Sequence, residues 1–273
     1  MSDEPAPEVA GAREDGRILK NIISTDVFHT LLIPAGEQSR DQMVMQVVKE
    51  ITGREVGMSP TEHARKLSRI RTNVDKKLGP NVPREKYWGE VNPRMYRCDT
   101  RQAMRISERI INDDTLYTVS RGACKFFHKL FSQKFRFENT SDCHIVAASN
   151  APSKVLNPLL RTTGLFHFFH WVVSPEDLKG AFKPSLDFYR NYLAKISNAD
   201  YSRVLHFGNS PRNDVIPAAK LGIDVCWLRS KHEILTDKAV LGRVGKEHEG
   251  HVFIARSFEK ARELIDAKFV SPR

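Results

Sequence analysis

Two spacings of apolar residues alternate along the chain, and together they predict most of its elements. Short, mainly apolar runs, the pattern of strands buried on both faces, stand at about 18–25, 144–149, 171–173, 203–208, 224–228 and 252–255. Between them, over 122–131, 153–160, 184–196, 213–221 and 258–267, the apolar residues recur every third or fourth position, as one face of a helix requires. Short strands alternating with helices predict an α/β fold with a parallel, doubly wound sheet.

The stretch 35–118 breaks this rhythm. Met43, Val44, Val47, Val48 and Ile51 carry a helical period over 41–51, and Gly53 closes it. Ser59-Pro60-Thr61-Glu62 opens a second helix with a cap, a first-turn proline and an early acid. A turn follows at Gly79-Pro80-Asn81-Val82-Pro83, then Tyr87-Trp88 and a helical stretch over 100–111, with no clear strand. The expected organisation is an α/β core from 18–34 and 119–273, with 35–118 inserted as a helical domain. Residues 1–17 are rich in Pro, Ala and acids without apolar periodicity, so a disordered tail is expected.

Composition narrows the function classes. Hydrophobic residues at 40% and charged residues at 28% suit a soluble globular protein, and no apolar run approaches the roughly 20 residues of a membrane span. The start, Met1-Ser2-Asp3-Glu4-Pro5, lacks the plan of a signal or transit peptide. A cytoplasmic location is expected, with a mitochondrial one left open should a presequence have been removed. Cys98, Cys124, Cys143 and Cys226 stand far apart without a CxxC pair, which argues for buried or half-buried free thiols over a zinc site or disulfides. The net charge of +10 favours anionic partners: a small anionic substrate, or RNA or a ribonucleoprotein surface. His63, Arg65, Lys66, Arg69 and Arg71 on the second inserted helix could cover such a substrate or form a solvated face.

Four stretches carry candidate chemistry. The first run leads into Asp26-Val27-Phe28-His29-Thr30, placing one carboxylate at the edge where open α/β sheets bind ligands, although an acid there can also cap a turn. Ala147-Ala148-Ser149-Asn150 ends a second run with a hydroxyl and an amide, able to bind an anionic oxygen or to cap the helix that follows. Lys183-Pro184 puts an ammonium at a helix start, where it can balance carboxylates and a bound anion. The most specific stretch is Phe207-Gly208-Asn209-Ser210-Pro211-Arg212-Asn213-Asp214, a glycine turn with an acid six residues on, leading into a helix of small residues.

Taken in order, these stretches resemble the four motifs of the haloacid dehalogenase (HAD) superfamily of hydrolases, over about residues 18–270. The resemblance implies a Rossmann-like core with a helical cap inserted after the first motif. It implies that Asp26 is a covalent nucleophile, oriented by Thr30, and that Ser149, with Asn150 beside it, binds a phosphoryl oxygen. Lys183 would neutralise developing charge, and Mg²⁺ would be held by Asp26, the Phe28 carbonyl, Asn209 and Asp214. Two positions depart from the phosphatase pattern. The acid–base aspartate two residues after the nucleophile is Phe28, and the metal-binding aspartate after the motif glycine is Asn209. His29 is expected to point away from the site if the strand continues. Phe28 and Tyr189 fit the superfamily's 2-haloacid dehalogenases, but Pro211 stands where those carry Asn. Three functions follow: hydrolysis of a phosphate ester or anhydride with weakened acid–base machinery, a catalytically silent binding or structural subunit, and 2-haloacid dehalogenation. The paired histidines His167/His170 and His248/His251 lack a third metal ligand and read as packing or surface residues.

Overall fold

A computed structural model describes residues 21–35, 39–79, 82, 84–132, 143–197, 200–230, 233 and 235–269. The predicted N-terminal tail lies outside these residues. Strand β1 (Asn21–Thr25) carries the first apolar run, and two three-residue strands, β2 (Leu32–Pro34) and β3 (Tyr117–Val119), pair antiparallel. Helices α1 (Arg40–Thr52), α2 (Pro60–Leu78), α3 (Arg84–Tyr96) and α4 (Thr100–Asn112) lie between β2 and β3. The chain continues through α5 (Ala123–Ser132), β4 (Cys143–Ala148), α6 (Ser153–Thr162), β5 (Trp171–Val173) and α7 (Leu186–Ser197). It ends with β6 (Val204–Gly208), α8 (Ile216–Ala219), β7 (Asp224–Leu228), α9 (Asp237–Val244), β8 (Val252–Ala255) and α10 (Phe258–Phe269).

The main sheet is parallel, in the order β5-β4-β1-β6-β7-β8. Alternating side chains supply its two faces. Ile23, Ile145, Ala147, Leu205 and Phe207 meet Phe126, Phe127 and Phe258 on one side, and Ile22, Val146, Val204, Val225 and Trp227 meet Phe188, Tyr192 and Leu193 on the other. The strand order reverses about β1, so the chain leaves β4 and β6 on either side of it. Such a switch point opens a crevice at the C-terminal strand ends.

The inserted helices do not share one core. Met43, Val44 and Val48 of α1 and Ala103 and Ile106 of α4 join the core on one face of the sheet. Leu67, Val74, Val91 and Met95 form a separate small cluster between α2 and α3. Ser39, Ser59 and Asp99 start α1, α2 and α4 with capping boxes, each worth about 0.5–2 kcal/mol at its helix end.

Several elements differ from their sequence-based expectation. The β2–β3 ladder is too short to show strand alternation, so Tyr117–Val119 reads as the end of a helical region although it is a strand. Helix α3 carries Pro93 inside it and a blurred apolar face, which hides it in the sequence. Asp214 lies in a π-helical turn, Pro211–Val215, so the expected single helix over 213–221 is a wide turn followed by the short α8. Cys98, Cys143 and Cys226 are buried, but Cys124 is exposed, on the outer side of α5. Among the described residues no helix is long and apolar enough to cross a membrane.

Candidate active site

Four loops deliver the site to the C-terminal edge of the sheet. Asp26 follows β1, with its backbone N–H held by the Phe207 carbonyl at 2.8 Å, and Ser149 follows β4, its N–H held by the Val173 carbonyl at 3.0 Å. Lys183 enters from the loop after β5, and Asp214 from the turn after β6. All four are buried, and all four line one cavity of about 460 Å³.

Lys183 organises the cluster. Its Nζ donates to Asp26 Oδ1 at 2.5 Å, to Asp214 Oδ1 at 2.8 Å and to the Ala148 carbonyl at 3.1 Å, using its three donors. Asn150 fixes its backbone from both ends of one amide: Nδ2 donates to the Lys183 carbonyl at 2.8 Å and Oδ1 accepts the Lys183 N–H at 2.7 Å. The expected substrate-binding amide is therefore committed to positioning the lysine. Ser149 Oγ accepts the Ala151 N–H at 3.1 Å, closing the turn after β4, while α6 starts at Pro152 without a side-chain cap. Thr30 Oγ1 lies 3.3 Å from Asp26 Oδ2 and 3.2 Å from Asn209 Oδ1, so one hydroxyl ties the two motifs together.

The two carboxylates are tuned in opposite directions. Burial raises Asp26 to about 6, with Asp214 adding to the rise against the pull of Lys183. Burial also acts on Asp214, but Lys183 and His206 outweigh it and lower that carboxyl to about 2. Burial opposes the Lys183 charge as well, and the two carboxylates more than offset it, so its pKa is raised. The cluster thus holds two acids against one base, a net charge of −1 when both acids are ionised.

A polar layer beneath the site escaped the sequence reading. Ser24 and His206 sit opposite each other in the β1–β6 register, with Ser24 Oγ 2.8 Å from His206 Nδ1 and 3.0 Å from the Tyr192 hydroxyl. His206 Nε2 faces Asp214 Oδ1 at 3.7 Å, too long for a hydrogen bond but close enough to act by charge. Burial lowers the His206 pKa, with the Asp214 carboxylate pulling the other way. The signal in the sequence was a serine and a histidine at positions where buried strands otherwise carry apolar residues.

Gly208 permits this packing. A Cβ built there would overlap the Cβ and carboxyl of Asp214. Gly208→Ala is expected to lower stability by about 1–3 kcal/mol through forced displacement of Asp214, read as a lower Tm in thermal melts. An unchanged Tm would show that the turn after β6 yields freely.

The loop after Asp26 differs from expectation. The strand does not continue, because the chain turns at His29, which takes φ 63°, and the ring faces the cavity instead of the opposite side. Burial and the neighbouring Arg40 charge hold His29 well below the usual histidine range. Phe28 packs edge-on against Tyr117 with centroids 5.1 Å apart. Tyr189 donates its hydroxyl to the Asn213 carbonyl at 2.7 Å and does not line the cavity. Of the basic residues expected to cover a substrate, only Arg71 lines it; Arg65, Lys66 and Arg69 are exposed, and His63 is buried between Asp41 and Tyr96. His170 and His251 make structural hydrogen bonds, to the Ile145 N–H and to Asp224. Among the described residues no three His, Cys, Asp or Glu side chains cluster as a metal site.

Similarity to known proteins agrees with this geometry. Escherichia coli pyrimidine 5′-nucleotidase YjjG is 31% identical over 84 residues, 31% of this chain and 37% of that protein. The chain thus spans little more than a third of that relative's length. The fold matches YfnB of Bacillus subtilis, solved bound to magnesium, with a TM-score of 0.63 at 15% identity over 91% of this chain and 99% of that one. It also matches the L-2-haloacid dehalogenase of Xanthobacter autotrophicus, with a TM-score of 0.57 at 14% identity over 90% of this chain and 98% of that one. The family profile described as haloacid dehalogenase-like hydrolase matches residues 30–222, most of the chain, and the protein belongs to that family.

Proposed function

We propose that the protein hydrolyses phosphate anhydrides or activated phosphate esters through a covalent intermediate on Asp26. The observation that carries this reading is the Asp26 carboxylate itself. It stands at the strand edge in the cavity, with Oδ1 held by Lys183 and Oδ2 3.3 Å from the Thr30 hydroxyl. Asp26 Oδ2 attacks phosphorus, the bond to the leaving oxygen breaks, and the displaced group departs with the bonding pair. Lys183 and the Ser149 hydroxyl lie where they can take up charge on the phosphoryl oxygens.

The leaving group must depart unaided. Phe28 cannot donate a proton, and His29 is neutral at physiological pH with its basicity suppressed. Acyl phosphates and other anhydrides meet that requirement and simple alkyl esters do not. Tyr189, committed to the Asn213 carbonyl, lacks the cavity position that a dehalogenase role would need.

The donor set suits Mg²⁺ in type but not in charge. Asp26, the Phe28 carbonyl and the Asn209 side-chain oxygen are hard oxygen donors. Asp214 would be a weak contributor, since its Oδ1 accepts from Lys183 and its Oδ2 accepts the Ser210 N–H at 3.0 Å. Mg²⁺, when bound by these residues, would offset phosphoryl charge facing Asp26. Asn209 in place of an acid predicts weak affinity.

Incubation with Mg²⁺ and acetyl phosphate is expected to leave a phosphoryl adduct on Asp26 that persists long enough for peptide mass spectrometry. Asp26→Asn should abolish it. Because only ionised Asp26 attacks, adduct formation should fall as pH drops through about 6. Neither adduct nor phosphate release at any pH would overturn the reading.

A further inference from the structure

The helical wall of the cavity carries charge that the reaction at Asp26 does not use. Arg40 at the start of α1 and Arg71 in α2 both line it, each half-buried. The nearby acids are already engaged: Asp41 with His63 Nδ1 at 2.6 Å, and Asp75 with Arg212. Among the described residues neither Arg40 nor Arg71 has a carboxylate partner. Arg71 donates from Nε to the Tyr87 hydroxyl at 3.2 Å and lies 5.8 Å from the Trp88 ring centroid, so its guanidinium is braced from two sides. Burial lowers the proton affinity of Arg40, and the nearby Arg71 charge lowers it further. Arginine stays charged all the same, and two such charges withdrawn from water without an anion are costly.

We propose that Arg40 and Arg71 form a second anion site, so that the natural substrate carries an anionic group at the end opposite the phosphoryl group attacked by Asp26. This rests on the reading of Asp26 as a phosphoryl acceptor and adds the substrate's other end. Guanidinium groups bind carboxylate or phosphate oxygens in paired hydrogen bonds. The cavity of about 460 Å³ holds a small metabolite between the two ends, with Tyr87 and Trp88 as its apolar sides. Charge differs along the cavity: Asp26 and Asp214 share one ammonium, whereas among the described residues the two arginines have no carboxylate partner.

The test uses the full chain and three series of non-hydrolysable phosphonates, matched in length. One series ends in methyl, one in carboxylate and one in a second phosphonate, and binding is measured by calorimetry. At the fitting length, an anionic terminus is expected to tighten binding about tenfold or more over methyl. The second and third series separate carboxylate from phosphate as the preferred group. In Arg40→Met and Arg71→Met that ratio should fall toward one, and Arg71→Lys should recover part of it, which a merely structural role would not do. Circular dichroism checks that each variant folds, and the lysine variant carries the comparison if a methionine variant does not. A ratio near one at every length, a ratio that survives both methionine variants, or no binding of any phosphonate would overturn the proposal. The acetyl phosphate adduct reads Asp26 separately. An arginine-dependent ratio without an adduct would keep the anion site and discard the phosphoryl chemistry.

Discussion

Lys183→Met is expected to cost about 3–5 kcal/mol of folding stability at neutral pH and to remove adduct formation at Asp26. The lysine ammonium is buried and makes three hydrogen bonds, two of them to carboxylates. Methionine fills a similar volume, so the loss comes from charge and not from a cavity. Asp26 and Asp214 would then face each other without a counterion, and the pair would bind a proton that it does not hold in the wild type. The ionised fraction of the nucleophile falls with it, and the cation that stabilises a phosphoryl oxygen is lost. Urea unfolding at neutral and at acidic pH checks the cause. The deficit should shrink as pH falls and the carboxylates protonate. A deficit under about 1 kcal/mol, or one independent of pH, would mean that the cluster is held by backbone geometry and not by the ammonium.

The sheet was legible because buried parallel strands write themselves as mainly apolar runs; Asp26 and Ser149 directly follow two of them, and Lys183 and Asp214 stand in the connections after β5 and β6. Asp26, Ser149, Lys183 and Asp214, scattered over almost 190 positions, meet in one cavity for that reason. What sequence spacing could not convey was which polar atoms are already spoken for. Asn150 reads as a substrate amide, yet both its ends hold the Lys183 backbone. Asp214 reads as a metal ligand, and each of its oxygens already accepts one hydrogen bond, from Lys183 and from the Ser210 N–H.

The cavity's upper wall was less legible for a different reason. A helix displays its charged residues on several faces, and only the fold decides which face meets the cavity. Arg71 lines it while Arg65, Lys66 and Arg69, on the same helix, do not. Arg40 gave no signal at all, as one arginine in a polar stretch. His29 was misplaced because the expectation of a continuing strand carried it to the wrong side, whereas a single left-handed residue reverses its direction. Such a turn leaves no periodic trace.

Asp26→Asn is expected to raise stability at neutral pH while it ends the chemistry. The Asp26 carboxyl is lifted from the ordinary 3.8 to about 6, chiefly by burial. A folded-state pKa above the unfolded value means that the ionised group costs the folded state free energy. That cost is absent below about pH 3 and complete above about pH 6, with an upper value of about 3 kcal/mol. Asparagine keeps an oxygen for the Lys183 ammonium and discards the charge, leaving Lys183 and Asp214 as a neutral pair. For a chain of this size each kcal/mol moves Tm by roughly 2–4 °C, so Tm should rise by several degrees at neutral pH. The gain should shrink as pH falls from 6 towards 4 and vanish below about pH 3, where Asp26 is protonated in both states. The opposite sign, an Asn variant less stable at neutral pH, would mean that Lys183 over-compensates burial and that Asp26 is a settled ion-pair partner instead of a strained nucleophile. The predicted sign is the one a nucleophile requires: a carboxylate that the fold holds at a cost is one that gains by forming a bond.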